Sequence, residues 1–212
     1  MEQLNKAIAN NKKELDPKEY EEYVALQVAG YVEGREKAKK PLMREVIKTF
    51  LEGFDFRFDE RILDVGCGTG TLLEVFSELG YDSLCGIDIN PKKISLARKN
   101  DNTCIRKADF TAIPFLDGGF SLITSFHTIE HCWNIDAVLK EVSRVLCDGG
   151  LFFCIVPDEP KNTNPKGKGN AHTHPFTSEE QVREEFGRHF KVLEVSKHSM
   201  FEKEFFVICR NK

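Results

Sequence analysis

The amino-acid sequence predicts an α/β fold, a mostly parallel sheet with helices on both faces. Three observations carry that prediction. From residue 61 onward, strand-like apolar runs alternate with helix-like runs, as in consecutive β–α units. The first run, Arg61-Ile62-Leu63-Asp64-Val65, passes directly into Gly66-Cys67-Gly68-Thr69-Gly70, a turn with glycine at alternate positions. The last two strand candidates are separated only by Ser199 to Lys203. That gap is too short for a crossover helix, so they form an antiparallel hairpin.

Taken in order, residues 1–22 are polar and charged and are expected to be frayed or loosely docked. Tyr23 to Phe50 has helical spacing, with Val24, Val28, Tyr31 and Val32 on one stripe and a second helix after Pro41. Gly53 to Glu60 connects to the core, so residues 1–60 are read as an N-terminal helical extension or cap and 61–212 as the core. Strands are expected at 61–66, 83–88, 104–108, 120–126, 150–156, 190–197 and 204–210. Thr71 to Leu79 carries apolar residues at helical spacing. Asn90-Pro91 starts a helix with a capping side chain followed by proline at the first helical position. Asn134 caps a helix running to Leu146, and Gly149-Gly150 is expected to end it. Thr177-Ser178-Glu179-Glu180 reads as a capping box opening the last helix. Asp158 to Asn170, rich in Pro, Lys, Asn and Gly, reads as a mobile loop after the fifth strand.

Composition bounds the function. The chain has 212 residues, 41% hydrophobic, with 17 Phe, enough for one sizeable core. A formal net charge of -4 argues against a large nucleic-acid footprint. Seven cysteines at 67, 85, 104, 132, 147, 154 and 209 form no CxxC pair and read as small buried hydrophobes in a reducing compartment. No signal-peptide pattern and no run of about 18 apolar residues is present, so no membrane partner is expected and a cytoplasmic location is the default.

The glycine turn is the most informative feature. Glycine tolerates positive φ and has no Cβ to hold a ligand away. The helix start that follows presents free N–H groups. Asp88 ends the second run, Leu84-Cys85-Gly86-Ile87, roughly 20 residues after Gly66, the separation at which an acid reaches a ribose hydroxyl. The dinucleotide fingerprint does not fit, because its third glycine comes one residue early and Thr71 stands in its place. That counts against an NAD-dependent oxidoreductase. A P-loop is excluded, since no Gly-Lys-Ser/Thr follows.

These residues resemble the class I S-adenosylmethionine-dependent methyltransferases. The resemblance covers roughly residues 60–212. It rests on Asp64 to Gly70, Gly86-Ile87-Asp88-Ile89, Ala108-Asp109-Phe110, Ser125 to His131, and Leu139 to Leu146 followed by Gly149-Gly150. It implies a Rossmann-like sheet of seven strands, mostly parallel with the last antiparallel, and S-adenosyl-L-methionine as cofactor. By the same resemblance Gly66, Cys67, Gly68 and Gly70 lie along the methionine and ribose portions, with Asp64 near the ammonium. Asp88 accepts from the ribose hydroxyls, Ile89 packs on the adenine, Asp109 accepts from the adenine amino group and Phe110 lies close by. Ser125 and Phe126 line the cofactor floor.

His127 and His131 follow the fourth strand, beside the expected transfer site, and are the candidate catalytic bases. The alternative is a scaffold role in hydrogen bonds to backbone. His172 and His174, two apart in an extended segment, can point to one side, but two ligands are no metal site and none is expected. Lys161, Lys166 and Lys168 are read as a solvated loop in preference to an anion grip. Tyr23, Tyr31 and Arg35 belong either to a lid over the cofactor or to a helix covering a sheet face. The expected function is methyl transfer to oxygen or nitrogen of a small molecule, such as a sugar, glycan or quinone-like metabolite. The alternatives are an RNA or protein methyltransferase, or a non-catalytic binding module. Ser125-Phe126-His127-Thr128 stands where amino-nitrogen methyltransferases of bases carry Asn/Asp-Pro-Pro-Tyr/Phe.

Overall fold

The computed structural model describes residues 14–29, 38–54, 56–57, 59–97, 103–159, 172–197 and 203–212. Seven strands form one sheet: β1 (Ile62–Val65), β2 (Leu84–Asp88), β3 (Thr103–Lys107), β4 (Phe120–Phe126), β5 (Leu146–Pro157), β6 (Phe190–Ser196) and β7 (Glu204–Asn211). Their spatial order is β3-β2-β1-β4-β5-β7-β6. The pairings among β1 to β5 are parallel, and β7 runs antiparallel between β5 and β6. The predicted mostly parallel sheet with its antiparallel final strand is therefore the observed one.

The described helices are α1 (Pro17–Ala29), α2 (Lys40–Glu52), α3 (Thr71–Glu78), α4 (Pro91–Leu96), α5 (Ile135–Val145) and α6 (Glu179–Gly187). Alternate side chains of the central strands enter different cores, as the two-residue period of a strand requires. On one face Leu63, Ile123, Phe152 and Cys154 pack with Val138, Leu139 and Val142 of α5 and Phe186 of α6. On the other, Ile62, Leu122, Phe153 and Ile155 pack with Ile47 and Phe50 of α2 and Leu72 and Phe76 of α3. Phe50 stacks on Phe153 at a ring distance of 4.4 Å. Burial on both faces explains why neighbouring residues, Ile62 and Leu63 in β1 and Leu122 and Ile123 in β4, are both apolar.

Asn90 caps α4 by accepting from Lys92 and Lys93 N–H, and Asn134 caps α5 through Ala137 N–H, both as expected. Three boundaries differ. Gly149-Gly150 does not end a helix: Leu146 already pairs with Phe120 and the ladder resumes with Leu151 on Leu122, so both glycines fall in an irregularity of β5. Gly149 adopts φ 72 there. The cap of α6 is Ser178 in place of Thr177. Ser178 accepts from Gln181 N–H, and Gln181 Oε1 reaches back to the N–H and hydroxyl of Thr177. Finally, a helix begins at Pro17, within the stretch expected to fray, because Tyr23 finds a buried seat against Trp133 at 4.8 Å. Tyr31 and Val32 of the predicted stripe lie outside the described residues, and so do Lys161, Lys166 and Lys168. No described helix is long and apolar enough to cross a membrane.

Candidate active site

The carboxyl ends of β1 to β4 open into a cleft of about 430 Å³, with α1 supplying part of its wall through Tyr23 and Gln27. That is the place where open parallel sheets hold ligands, and the volume suits a small molecule.

One half of the cleft is the glycine turn and the acids beside it. Gly66 and Cys67 N–H both donate to Ile87 O, at 2.8 and 2.9 Å, which folds the turn back over β2. Gly66 has φ 81, and a Cβ added to it would lie 2.2 Å from the Thr128 side chain. Asp64 is buried in the cleft wall, its Oδ1 accepting from the Thr124 hydroxyl at 2.9 Å. Asp88 accepts from Gly68 N–H at 2.9 Å and from Asn90 N–H at 2.7 Å, so it shapes the turn as well as facing the cleft. Asp109 Oδ1 accepts from the N–H and hydroxyl of Thr111, while its Oδ2 is buried with no hydrogen bond. Burial, and then the nearby Asp109 carboxylate, push the Tyr20 hydroxyl up to about 12.

Ile89, Phe110 and Phe126 line this half. Gly68, Gly70 and Ser125 do not. Gly70, at φ 79, starts α3. Ser125 is fully buried and its hydroxyl donates to Val65 O at 3.0 Å, so it ties β4 to β1 instead of forming a floor.

The other half gathers histidines and glutamates from distant segments. Glu130 and His131 lie on a short 3-10 turn, Ile129–His131, just past β4. His127 has φ 51, the one positive φ outside glycine among the described residues, a conformation that costs an ordinary side chain energy. Its Nε2 stands 3.0 Å from Glu204 Oε1 on β7, and its Nδ1 3.9 Å from Glu130 Oε1. His131 Nε2 is 4.0 Å from the same Glu130 oxygen. The His172 ring packs edge-on against His131 at 4.7 Å, and its Nδ1 contacts Glu159. His174 turns elsewhere, to Glu185 of α6 at 2.9 Å, so the two histidines take different partners. Trp133 packs against Tyr20, Tyr23 and Phe110.

Residues 63–154 match the family model described as a methyltransferase domain. The malonyl-[acyl-carrier protein] O-methyltransferase of Geobacter sulfurreducens is 30% identical over 195 residues, covering 84% of this chain and 67% of that protein. The chain belongs to the class I S-adenosylmethionine-dependent methyltransferases. The ubiquinone biosynthesis O-methyltransferase of Bordetella avium is 29% identical over 109 residues, 48% of this chain and 45% of that one. The chain spans less than half the length of several curated relatives it matches, the Bordetella protein among them, and about three quarters of the putative methyltransferase YrhH of Bacillus subtilis. A chain from a solved complex that contains the Haloferax volcanii Trm112 methyltransferase activator aligns at TM-score 0.72 and 18% identity, over 90% of this chain and 97% of that one. That likeness concerns the fold.

Several residues at the cleft of this methyltransferase or directly behind its lining escaped sequence reasoning. Thr128, packed on Gly66, is adjacent to the recognised motif, and its threonine gave no sign of that contact. Glu130 sits between two histidines that drew attention, and its near-complete burial is the new fact. Glu159 and Glu204 had no signal at all, because only the hairpin and the end of β5 carry them to the site.

Proposed function

We propose that this methyltransferase binds S-adenosylmethionine in the cleft and transfers its methyl group to an oxygen or nitrogen of a small molecule. The observation that carries the reading is the set of acids at the cleft: Asp64, Asp88 and Asp109 close successive strands around one glycine turn. The ligand presents matching donors in an ammonium, two ribose hydroxyls and an adenine amino group. Asp109 Oδ2, buried and without a hydrogen bond, is the acceptor that amino group fits. Asp88, positioned by the N–H groups of Gly68 and Asn90, lines the cleft where a ribose would lie.

S-adenosylmethionine supplies a methyl already activated on positively charged sulfur. The protein has to align the acceptor with that carbon, exclude water and take a proton. As the new bond to carbon forms, the carbon–sulfur bond breaks and its electron pair leaves on sulfur. We assign the proton to His127. With Nε2 toward Glu204, the neutral ring carries its proton there and leaves Nδ1 as the base. A base oriented by a carboxylate is the arrangement general-base chemistry calls for. His131, more deeply buried, is less accessible to an acceptor. Oxygen is the favoured atom, in keeping with the two O-methyltransferases among the relatives.

Calorimetry with S-adenosylmethionine, S-adenosylhomocysteine and NAD tests the first step. The first two should bind and NAD should not. A metabolite screen for a mass gain of one methyl group tests the second. Heat from NAD alone would overturn the reading, and tight, salt-sensitive RNA binding would replace the small molecule as acceptor.

A further inference from the structure

At the acceptor end of the cleft, Glu130 is 1% exposed and its Oε2 has no hydrogen-bond partner. Among the described residues no Lys or Arg lies within ion-pair distance of Glu130, Glu159 or Glu204, and each of their charged contacts is a histidine. A carboxylate buried without a cation costs several kcal/mol by order of magnitude, so it implies a positive partner. One ligand atom each from Glu130, His131 and His172 lies within 4.8 Å of the other two. The segment bearing His172 is fastened there: His174 N–H donates to Glu130 O at 2.9 Å, and the Thr173 hydroxyl donates to Cys132 O. Asp158 and Phe176 form a bridge at its base.

We propose that Glu130, His131 and His172 form a site for a divalent transition-metal ion, of the zinc, manganese or cobalt kind. This departs from the expectation of no metal. Two imidazoles and a carboxylate suit such ions, whereas magnesium and calcium take all-oxygen sets. Ligand atoms on one ion with bonds of about 2.1 Å lie at most about 4.2 Å apart, so the present spread requires only a small contraction. Glu159 on His172 Nδ1 is the carboxylate that metal-bound histidines ordinarily carry, and in that arrangement Nε2 is the ligand. Resting on the methyl-transfer reading, an ion held by Glu130, His131 and His172 would supply a positive charge at the acceptor end of the cleft, which would favour proton loss from an acceptor oxygen to His127.

The test is titration of chelator-treated protein with cobalt(II), followed by visible absorption. One equivalent should produce saturable d–d bands that zinc displaces. Those bands should vanish in His172→Ala, and Glu159→Gln should weaken binding by about 10–100-fold. Failure to saturate, or bands that persist in folded His172→Ala, overturns the site. Equal response to magnesium overturns the imidazole assignment. Calorimetry with S-adenosylhomocysteine on the same sample separates the two claims. Its binding without cobalt binding removes the metal and leaves methyl transfer; cobalt binding without it does the reverse.

Discussion

The two halves of the cleft are assembled in different ways. The cofactor half comes from one continuous run of β–α units, residues 62–110, and its acids sit at the ends of neighbouring parallel strands. The acceptor half is drawn from Glu130 and His131 after β4, His172 before α6 and Glu204 on β7, with Glu159 after β5 behind His172. The first half is a consequence of topology, since every βα turn of a parallel sheet ends on the same edge. The second depends on long-range packing and on a hairpin, and it is where a substrate preference can change without disturbing the fold. Loss of a group in the acceptor half should therefore change rate, and loss in the cofactor half should change affinity.

The largest effect should come from His127. His127→Asn removes the imidazole but keeps a residue that tolerates left-handed backbone. Turnover should fall by about 100- to 10,000-fold, while S-adenosylhomocysteine affinity stays near that of the wild type. Glu204→Gln, which keeps the side chain's shape but removes the carboxylate that orients His127, should lose less turnover. If His127→Asn weakened the cofactor as much as it slowed turnover, the division into two halves would fail.

Gly66→Ala strikes where the halves touch. The added Cβ would meet Thr128, and φ 81 disfavours any side chain. Clash and strain together should cost roughly 3 kcal/mol in denaturant unfolding. Thr128 leads into the turn bearing Glu130 and His131, so turnover should fall as well. Thr128→Gly removes the atoms in the way and should recover part of the loss, a coupling read by a double-mutant cycle. Simple additivity of the two substitutions would mean that the close approach is not what demands glycine.

The same contrast explains what the sequence disclosed. The glycine turn from Gly66 to Gly70 and the acid Asp88 at the end of the next strand were legible from local turn chemistry and spacing, whereas Asp109 was singled out only through the resemblance. The hairpin of β6 and β7 was legible from a gap of a few residues. For Ser125 the resemblance gave a place on the strand but not the direction of the hydroxyl, which Val65 O holds. Gly149-Gly150 mimicked a helix stop, yet the chain had already turned extended at Leu146, with ψ 134. Glu159 and Glu204 were invisible for a different reason. A glutamate in a polar loop or at a strand end looks solvated until distant elements bury it.

Asp109→Asn sharpens the cofactor side alone. Thr111 donates twice to Oδ1, so the substituted amide keeps its oxygen there and turns its NH2 toward the cleft. A donor then meets the adenine amino donor. Affinity for S-adenosylhomocysteine should fall by about tenfold or more, with stability and kcat at saturation little changed. Unchanged affinity would remove the adenine assignment.

The smallest effect should lie outside both halves, and it provides their reference. Glu141 on α5 accepts Ile113 N–H at 2.8 Å and holds Arg144, which in turn donates to Ile113 O and Phe115 O. This pair clamps the loop between β3 and β4 without touching the cleft lining. The Arg144 guanidinium, as hydrogen-bond donor, holds the Glu141 carboxyl below the usual carboxylate range. A depressed folded-state pKa favours folding above the unfolded value, near about 4.3, and that contribution is lost as pH falls through the folded one. Glu141→Gln should thus lower stability by about 1 kcal/mol at pH 7. It should also flatten the acid limb of the stability curve below about pH 4.3. Turnover and cofactor affinity should hold, because the loop's anchoring carbonyls still receive Arg144. A loss of affinity equal to that of Asp109→Asn would mean that the β3–β4 loop transmits its position to the adenine end. The cofactor half would then extend well beyond the strand ends that face it.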